Sequence, residues 1–284
     1  MKGTKKAFIA SSAIALAVTL AACGGGSGTG TGTSTGDAGG DRIAIGVKFD
    51  QPGTTLKVGN DFKGFDADVA RYVAKELGYE ADKIDFKESI SSQRESMIEG
   101  DQVKLVVATY SITDARKERV SFAGPYIIAG QDLLVRVDDD SITGPESLNG
   151  KKLCSVTGST PALRIKEKFA ANVDLTEMDT YSKCVQALAG GQIDAVTTDD
   201  TILAGFAAQS QYAGKLKLVK NTFSEELYGI GLKKGDTETC EKVTAAINKM
   251  IDSGEWQKAV DANFGPAGYE VNASVNPPTP DACS

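Results

Sequence analysis

The chain has 284 residues, of which 41% are apolar, and it carries a formal net charge of -7 without a single histidine. The length suits one large domain or two moderate lobes, with ample apolar material for a core. The acidic balance argues against nucleic acid or an anionic membrane surface as the main partner, and the missing histidine excludes His-based triads and the commonest metal ligand. We expect no metal and no cofactor.

The first residues predict an export signal that ends in a lipidated cysteine. Residues 2–6 are rich in lysine, and residues 7–20 form an apolar stretch too short to span a bilayer comfortably. Leu20-Ala21-Ala22-Cys23 resembles a bacterial lipobox, so residues 1–22 are expected to be removed and Cys23 to carry lipid. The alternative is an ordinary secretory signal with a chance cysteine.

A flexible tether is predicted after the signal. Residues 24–40 are almost entirely Gly, Ser and Thr, a composition typical of a linker rather than a folding segment. We expect residues 23–40 to hold the folded protein at the outer face of the cytoplasmic membrane, because a multiply acylated cysteine anchors more firmly than one acyl chain. The composition also hints at a high-G+C Gram-positive source.

The next part of the chain alternates apolar strands with amphipathic helices. Strands are predicted at 43–47, 84–86 and 103–108, and helices at 65–77 and 92–99. A turn-rich loop follows the first strand. This β-loop-α repetition implies a parallel sheet covered by helices.

The alternation is interrupted at Gly124-Pro125-Tyr126 and then restarts, which predicts a second α/β half. Two closing helices and a proline-containing tail, expected to be extended and held only by Cys283, follow. The predicted strands are 133–137, 152–156, 173–178, 195–197 and 216–219, and the predicted helices are 161–170, 181–189, 237–253 and 255–264.

Polar side chains follow the strand predicted at 103–108. Thr109 and Ser111 leave the strand end, and Arg116 lies in the helical turn that begins near residue 113. Open α/β sheets bind ligands at the carboxyl ends of their strands. Because a guanidinium matches a carboxylate in two parallel hydrogen bonds, Arg116 is the leading candidate for an anion-binding residue.

The string T-Y-S-I-T-D-A-R-K-E-R-V-S-F-A-G-P-Y at 109–126 resembles the T-x-T-x-T-x-x-R-x-x-x-x-x-F-S-x-P-Y signature of amino-acid-binding proteins of ABC importers, the extracellular solute-binding proteins of family 3. The motifs at 64–70 and 193–199 extend the resemblance, which covers residues 43 to about 265. It implies an α/β, two-lobed type II periplasmic-binding-protein fold (a Venus flytrap) with two crossover strands, near Tyr126 and Tyr228.

The resemblance also implies a division of the chain. Lobe 1 is expected to comprise 41–124 and 228–265, the hinge strands and lobe 2 are expected at 125–227, and 266–284 forms the C-terminal tail. Four cysteines besides Cys23 allow three disulfide pairings. A bridge between lobes would lock a clamp, so Cys154 with Cys184 and Cys240 with Cys283 are favoured.

An amino acid offers a carboxylate and an ammonium, and the resemblance suggests partners for the carboxylate first. Arg116 matches the family's carboxylate-binding arginine. Ser159 and Thr160 match the carboxylate clamp of lobe 2, at a predicted helix start where backbone N–H groups favour anions. The alternative for Thr160 is plain capping of that helix.

For the ammonium, Asp199 matches the family's ligand-binding aspartate. Asp200 is its rival, with capping of the next helix as the expected role. The carbonyl of Thr109 and the hydroxyl of Ser111 are expected to complete the ammonium site.

For the ligand side chain, Lys48 stands where a glutamine-binding relative would hold an acidic residue, and Arg94 resembles the arginine of an Asn-Arg pair in many relatives. Two cations favour an acidic side chain. Relatives place a proline and an aromatic residue after the first strand, and the direction of Phe49, the substitute in this chain, is left open.

The sequence therefore predicts a monomeric, non-enzymatic substrate-binding lipoprotein that delivers an acidic amino acid to an ABC permease driven by a cytoplasmic ATPase. L-glutamate is the leading candidate, and the choice between glutamate and aspartate is left open. Alternatives are a binding protein for glutamine, asparagine or another polar amino acid, an amino-acid sensor, or an enzyme on the same fold such as a dehydratase.

Overall fold

The computed structural model describes residues 42–169 and 173–284. The predictions for residues 1–22, for the tether at 23–40 and for Cys23 lie outside the described residues. The strands are β1 Ile43–Val47, β2 Asp50–Gln51, β3 Thr55–Val58, β4 Asp61–Lys63, β5 Ile84–Glu88, β6 Leu105–Val106, β7 Val120–Ala129, β8 Gln131–Arg136, β9 Lys152–Val156, β10 Asp174–Met178, β11 Ala195–Asp199, β12 Leu216–Leu218 and β13 Glu226–Lys233.

The helices alternate with these strands. They are α1 Phe65–Glu76, α2 Arg94–Glu99, α3 Asp114–Lys117, α4 Thr160–Arg164, α5 Tyr181–Ala189, α6 Asp200–Ala207, α7 Thr237–Asp252 and α8 Glu255–Phe264. Within 42–169 and 173–284, no helix combines the length and the apolar character that crossing a membrane requires.

Lobe 1 is built on a five-stranded sheet with the order β5-β1-β6-β13-β7. β1 pairs in parallel with β5 and β6, whereas β13 is antiparallel to β6 and β7. Its core includes Phe65, whose ring lies 5.4 Å from that of Phe264 and meets Trp256 edge-on at 5.9 Å. Trp256 is therefore a packing residue, and its Nε1 donates to the carbonyl oxygen of Tyr126 at 2.7 Å.

Lobe 2 is built on a second five-stranded sheet with the order β10-β9-β11-β8-β12. β9 is parallel to β10 and β11, and β8 is antiparallel to β11 and β12. A disulfide from Cys154 on β9 to Cys184 on α5 ties a helix to this sheet. The second disulfide joins Cys240 to Cys283, so each bridge stays within one part of the molecule, as the favoured pairing required.

Two strands carry the chain between the lobes. β7 pairs with β13 along most of its length, with a register shift between Tyr228 and Ile230, and Gly130 leads from β7 directly into β8 of lobe 2. The two-lobed α/β fold with two crossover strands is confirmed. The predicted lobe boundary at 124/125 falls inside β7. The boundary predicted at 227/228 falls inside β13, next to its register shift.

Some predicted elements differ from those observed. The strand predicted at 103–108 is observed as β6, Leu105–Val106, although Lys104 N and Val107 N also donate to the carbonyl oxygens of Ala44 and Gly46 beside β1. Beyond β6, Arg94 donates to the carbonyl oxygens of Ala108 and Thr109. The helix predicted at 161–170 is α4 followed by a π-helical turn at Ile165–Phe169. The turn-rich loop after β1 opens a three-stranded antiparallel sheet, β2-β3-β4, which was not predicted.

The prediction that Cys283 alone holds the C-terminal tail is wrong. The backbone of Ser284 pairs with that of Phe122 in both directions, and Asp281 N donates to the carbonyl oxygen of Gly124 at 2.8 Å. The Asn276 side chain bonds both the N–H and the C=O of Ile128 at 2.9 Å. The physical reason is that β7 is an edge strand, whose free backbone groups accept another extended segment.

Candidate ligand-binding site

The predicted site residues of the two lobes meet where the lobes contact each other. Ser111 Oγ lies 3.2 Å from Thr160 Oγ1, and Arg116 Nη2 donates to the carbonyl oxygen of Gly158 at 3.0 Å. Ser111 follows β6 of lobe 1, whereas in lobe 2 Gly158 lies between β9 and α4 and Thr160 begins α4. These contacts show that the described conformation is closed.

Contacts away from the candidate site support closure. The carboxylate of Asp50 accepts from Ser182 Oγ at 2.8 Å and from Ser182 N at 3.1 Å. A Cβ added at Gly205 on α6 would lie 1.8 Å from the carbonyl oxygen of Pro52. The hairpin formed by β2 and β3 of lobe 1, residues 50–58, is called the β2 hairpin below. It therefore packs directly against α5 and α6 of lobe 2.

Arg116 is aimed at the strand end by a short capped helix. The hydroxyl of Thr113 accepts from Arg116 N and so begins α3. Nη1 of Arg116 donates to the carbonyl oxygen of Ser111 at 2.7 Å, and Nε lies 3.4 Å from Glu95 Oε1. Burial lowers the pKa of Arg116 to about 10, so the guanidinium stays charged at neutral pH.

Tyr110 is a central residue that sequence reasoning missed. The guanidinium carbon of Arg94 lies 4.3 Å from the centroid of its ring and that of Arg116 lies 5.1 Å away, while its hydroxyl donates to Glu95 Oε1 at 2.7 Å. Such cation–π contacts favour arginine in a desolvated site. The place of Tyr110 between Thr109 and Ser111 in the motif was the available signal.

Arg94 is 2% exposed, and its Nη1 donates to the carbonyl oxygens of Ala108 and Thr109, each at 3.1 Å. Arg94 therefore holds the segment that carries Thr109. Direct contact of Arg94 with a ligand stays a prediction.

Thr109 is held in a left-handed conformation by a second missed residue, Asp66. Thr109 has a φ of 46°, and its N–H donates to Asp66 Oδ2 at 2.7 Å. Burial raises the pKa of Asp66 to about 6, against the hydrogen bonds from Thr109 and from the hydroxyl of Tyr126. Asp66 lies in the first turn of α1, from where its side chain reaches Thr109, 43 residues further along the chain.

Lys48 is a buried cation at the end of β1. It is 4% exposed, and its Nζ donates to Ser91 Oγ at 2.9 Å. Burial, and next the neighbouring charge of Arg94, lowers the pKa of Lys48 well below its ordinary value. Phe49 does not form a wall of the site, since its ring packs 4.9 Å from that of Phe62 in the hairpin.

The buried charges of lobe 1 do not balance. Lys48, Arg94 and Arg116 supply three cations, whereas Asp66 and Glu95 supply two carboxylates. A buried excess of positive charge is costly unless a partner neutralises it. This cluster favours a ligand that brings negative charge.

On the lobe 2 side, Ser159 and not Thr160 caps α4, so the capping alternative for Thr160 is wrong. Ser159 Oγ accepts from Ala162 N at 3.2 Å. Ser159 holds the extended backbone that an N-cap requires, whereas Thr160 is already the first helical residue. The hydroxyl of Thr160 donates to Glu226 Oε2 at 2.9 Å. At this end of α4 the N–H of Ser159 already donates to the carbonyl oxygen of Val156, the N–H of Ala162 donates to Ser159 Oγ, and Pro161 has no N–H. The N–H of Thr160 is therefore the backbone donor left for an anion among the described residues.

Asp199 ends β11 and is 3% exposed. Its Oδ2 accepts from the Tyr228 hydroxyl, while its Oδ1 has no hydrogen-bond partner among the described residues. Burial and the nearby Glu226 raise the pKa of Asp199 well above its ordinary value. An orphaned buried carboxylate oxygen is costly unless a donor reaches it, and a cationic donor suits it best.

The rival carboxylate, Asp200, is occupied by the backbone. Asp200 Oδ1 accepts from Thr201 N at 2.8 Å and from Gly130 N at 3.2 Å. These bonds lie at the start of α6, whose N-cap position belongs to Asp199, so Asp200 holds the helix start as its first residue and not as the predicted cap. Asp199 is therefore the carboxylate with an unused oxygen.

The comparisons with known proteins agree with this architecture. The family described as bacterial extracellular solute-binding proteins, family 3, matches residues 43–266. Glutamate-binding protein GluB of Corynebacterium glutamicum is 44% identical over 234 residues, which cover 78% of each chain. The glutamine-binding protein GlnH of Bacillus subtilis is 36% identical over 221 residues, 77% of this chain and 79% of that protein.

A solved structure shows the same fold. An ancestral arginine-binding protein bound to glutamine has a TM-score of 0.73 and 33% identity, and the match covers 79% of this chain and 98% of that one. Family match, relatives and fold all span the two lobes described above. The chain therefore belongs to the bacterial extracellular solute-binding proteins of family 3.

Proposed function

We propose that this protein is the substrate-binding component of an ABC importer and captures an acidic amino acid, with L-glutamate preferred. One observation carries the choice of ligand: the ammonium of Lys48 is buried beside the candidate site and donates to a neutral hydroxyl, Ser91 Oγ. A ligand carboxylate would give this charge an ionic partner. The similarity to a glutamate-binding protein supports the same ligand.

The α-carboxylate of the ligand is assigned to Arg116 and to the start of α4, where Ser159 caps the helix and the backbone N–H of Thr160 is the available donor. The α-ammonium is assigned to the free oxygen of Asp199, with the hydroxyl of Ser111 and the carbonyl of Thr109.

The side-chain carboxylate is assigned to Lys48. Arg94 adds positive charge and holds Thr109 in place. These assignments use all eight residues that the sequence singled out.

Capture proceeds by closure of lobe 2 over a ligand bound to lobe 1. Ligand contacts with Ser159, Thr160 and Asp199 exist only in the closed state, so the ligand stabilises closure. The closed form then docks on the permease, which a cytoplasmic ATPase drives. In this proposal residues 1–22 are removed, and lipid on Cys23 keeps the monomeric protein at the outer face of the membrane. The protein itself performs no chemistry on the ligand.

Glutamine is the second candidate ligand, because a lysine ammonium also donates to an amide oxygen. The similarity to GlnH, and to an ancestral protein whose structure holds glutamine, favours this candidate over other neutral amino acids.

The two ligands are separated by thermal unfolding of the Cys23→Ser protein with glutamate, aspartate, glutamine or arginine at millimolar concentration. A ligand at about a thousand times its Kd stabilises the native state by roughly 4 kcal/mol. We expect glutamate to raise Tm most. A larger shift in Tm with glutamine would identify glutamine as the ligand in place of glutamate. No shift with any amino acid would contradict the proposed function.

A further inference from the structure

Glu226 is a buried carboxylate that the assignments above leave without a role. It is 2% exposed and begins β13, the second crossover strand. Its Oε1 accepts from Arg164 Nη2 at 2.6 Å and from Ser224 Oγ at 2.9 Å, and its Oε2 accepts from Thr160 Oγ1 at 2.9 Å. Glu226 thus connects the second crossover strand to Thr160, which belongs to the inter-lobe contact.

The hydroxyl protons in this contact can be counted. A carboxylate paired with arginine only accepts hydrogen bonds, so the single proton of the Thr160 hydroxyl points at Glu226. Thr160 Oγ1 can then only accept from Ser111 Oγ, 3.2 Å away. The proton of Ser111 points across the lobe boundary at Thr160, and the lone pairs of Ser111 are left as acceptors.

The groups that fix this direction are firmly held. Arg164 Nε also donates to Gln131 Oε1 at 2.9 Å, so the guanidinium bridges the start of β8 and the start of β13. Ser111 forms an antiparallel bridge with Tyr228, and Ile112 N donates to the carbonyl oxygen of Leu227 at 2.8 Å. β13 therefore positions both Glu226, which it carries, and Ser111, which pairs with it. Thr160 lies between these two residues in the hydrogen-bond chain.

We propose that Glu226 is a positioning residue that fixes the direction of the Ser111–Thr160 hydrogen bond, so that Ser111 Oγ faces the ligand as an acceptor for its α-ammonium. This inference rests on the proposed function. It also limits Thr160: with its only proton committed to Glu226, its hydroxyl cannot donate to the ligand carboxylate, and only its backbone N–H remains for that role.

The substitution Glu226→Gln reverses the direction. Arginine has donors only, so the amide oxygen faces Arg164 and the amide nitrogen faces Thr160. Thr160 then accepts from the amide and donates to Ser111. The Ser111 proton turns towards the ligand, where it meets the donors of the ammonium.

The reversal is tested by a double-mutant cycle on the full-length protein, with Kd for L-glutamate measured by calorimetry. In the otherwise native protein, Ser111→Ala removes an acceptor for the ligand ammonium and raises Kd about fivefold. Glu226→Gln raises Kd by on the order of tenfold. In the Glu226→Gln protein, Ser111→Ala removes a misdirected donor, so Kd stays unchanged or falls.

The control is Glu146→Gln, which removes the same charge from an exposed residue of lobe 2 and leaves Kd unchanged. The unfolding midpoints of the ligand-free variants show whether each folds, and a merely structural role of Glu226 predicts no recovery upon Ser111→Ala. Equal losses from Ser111→Ala in both backgrounds, or native affinity in Glu226→Gln, would overturn the inference alone. Failure of the native protein to bind any amino acid would overturn the proposed function and this inference together.

Discussion

The pKa values of two buried residues, Lys48 and Asp199, move in opposite directions. Burial and Arg94 lower the pKa of Lys48, while burial and Glu226 raise the pKa of Asp199. In the proposed site the ligand needs a protonated lysine and an ionised aspartate. Affinity for glutamate should therefore be highest between these two pKa values and fall on both sides.

On the alkaline side, glutamate affinity should fall as pH rises through the lowered pKa of Lys48 in the free protein. A bound carboxylate favours the ammonium form, so binding in this range takes up a proton. Calorimetry in buffers of different ionisation enthalpy measures that uptake. Lys48→Met should abolish it, and proton release by the native protein in this range would contradict the assignment.

On the acid side, affinity should rise with pH through the raised pKa of Asp199. A bound ammonium favours the carboxylate, so binding below that pKa releases a proton. Asp199→Asn should remove this limb of the pH profile and weaken binding, whereas Asp200→Asn should keep the limb. A profile with the same acid limb in Asp199→Asn would exclude Asp199 as the ammonium partner.

At the scale of elements, α6 and the β2 hairpin lie in close contact at Gly205. A Cβ there would meet the carbonyl oxygen of Pro52 at 1.8 Å, a contact that exists only between closed lobes. Gly205→Ala should weaken glutamate binding by at least about tenfold, a cost typical of overpacking. The open protein should instead gain slight stability, because alanine favours a helix over glycine by about 1 kcal/mol.

The matched control is Gly265→Ala, where nothing lies within 4 Å of an added Cβ. Its Kd should equal that of the native protein. Calorimetry and ligand-free thermal unfolding of both variants separate closure from stability. Native affinity in Gly205→Ala would show that the described closed contact is not part of the ligand-bound state.

The long periodic elements were predictable from the sequence, and the short ones were not. Apolar spacing located α1, and the alternation of strand and helix indicated two α/β halves. The β2-β3-β4 sheet was not predicted because its strands are only 2 to 4 residues long, which leaves almost no periodicity to detect.

In the candidate site, the residues at strand ends were predictable because the topology places them there. Asp66 and Glu226 were not, since each acts on a predicted residue from a distant part of the chain. Such tertiary contacts leave no local pattern in a single sequence. Only the motif order around Arg116 carried information about the site as a whole.

At the scale of the whole molecule, the C-terminal tail runs along the first crossover strand and is tied to α7 by the Cys240–Cys283 disulfide. Replacing both cysteines by serine should lower the free energy of unfolding by about 2–4 kcal/mol. Once untied, residues 266–284 should also become sensitive to limited proteolysis.

Replacing Cys154 and Cys184 by serine serves as the comparison, because it opens the other loop and leaves the tail tied. That variant should be destabilised while its tail stays protected. Equal protection of the tail in both variants would mean that the pairing with β7 suffices without the disulfide.

The central claim, capture of an acidic side chain by Lys48, is tested most directly by the Kd of glutamate and of glutamine, measured by calorimetry for the native protein and for Lys48→Met. Lys57→Met, in the exposed part of the neighbouring hairpin, is the control. We expect the native protein to prefer glutamate, and Lys48→Met to lose on the order of 100-fold in glutamate affinity with a much smaller change for glutamine. Tighter native binding of glutamine, or an unchanged preference for glutamate in Lys48→Met, would contradict the account.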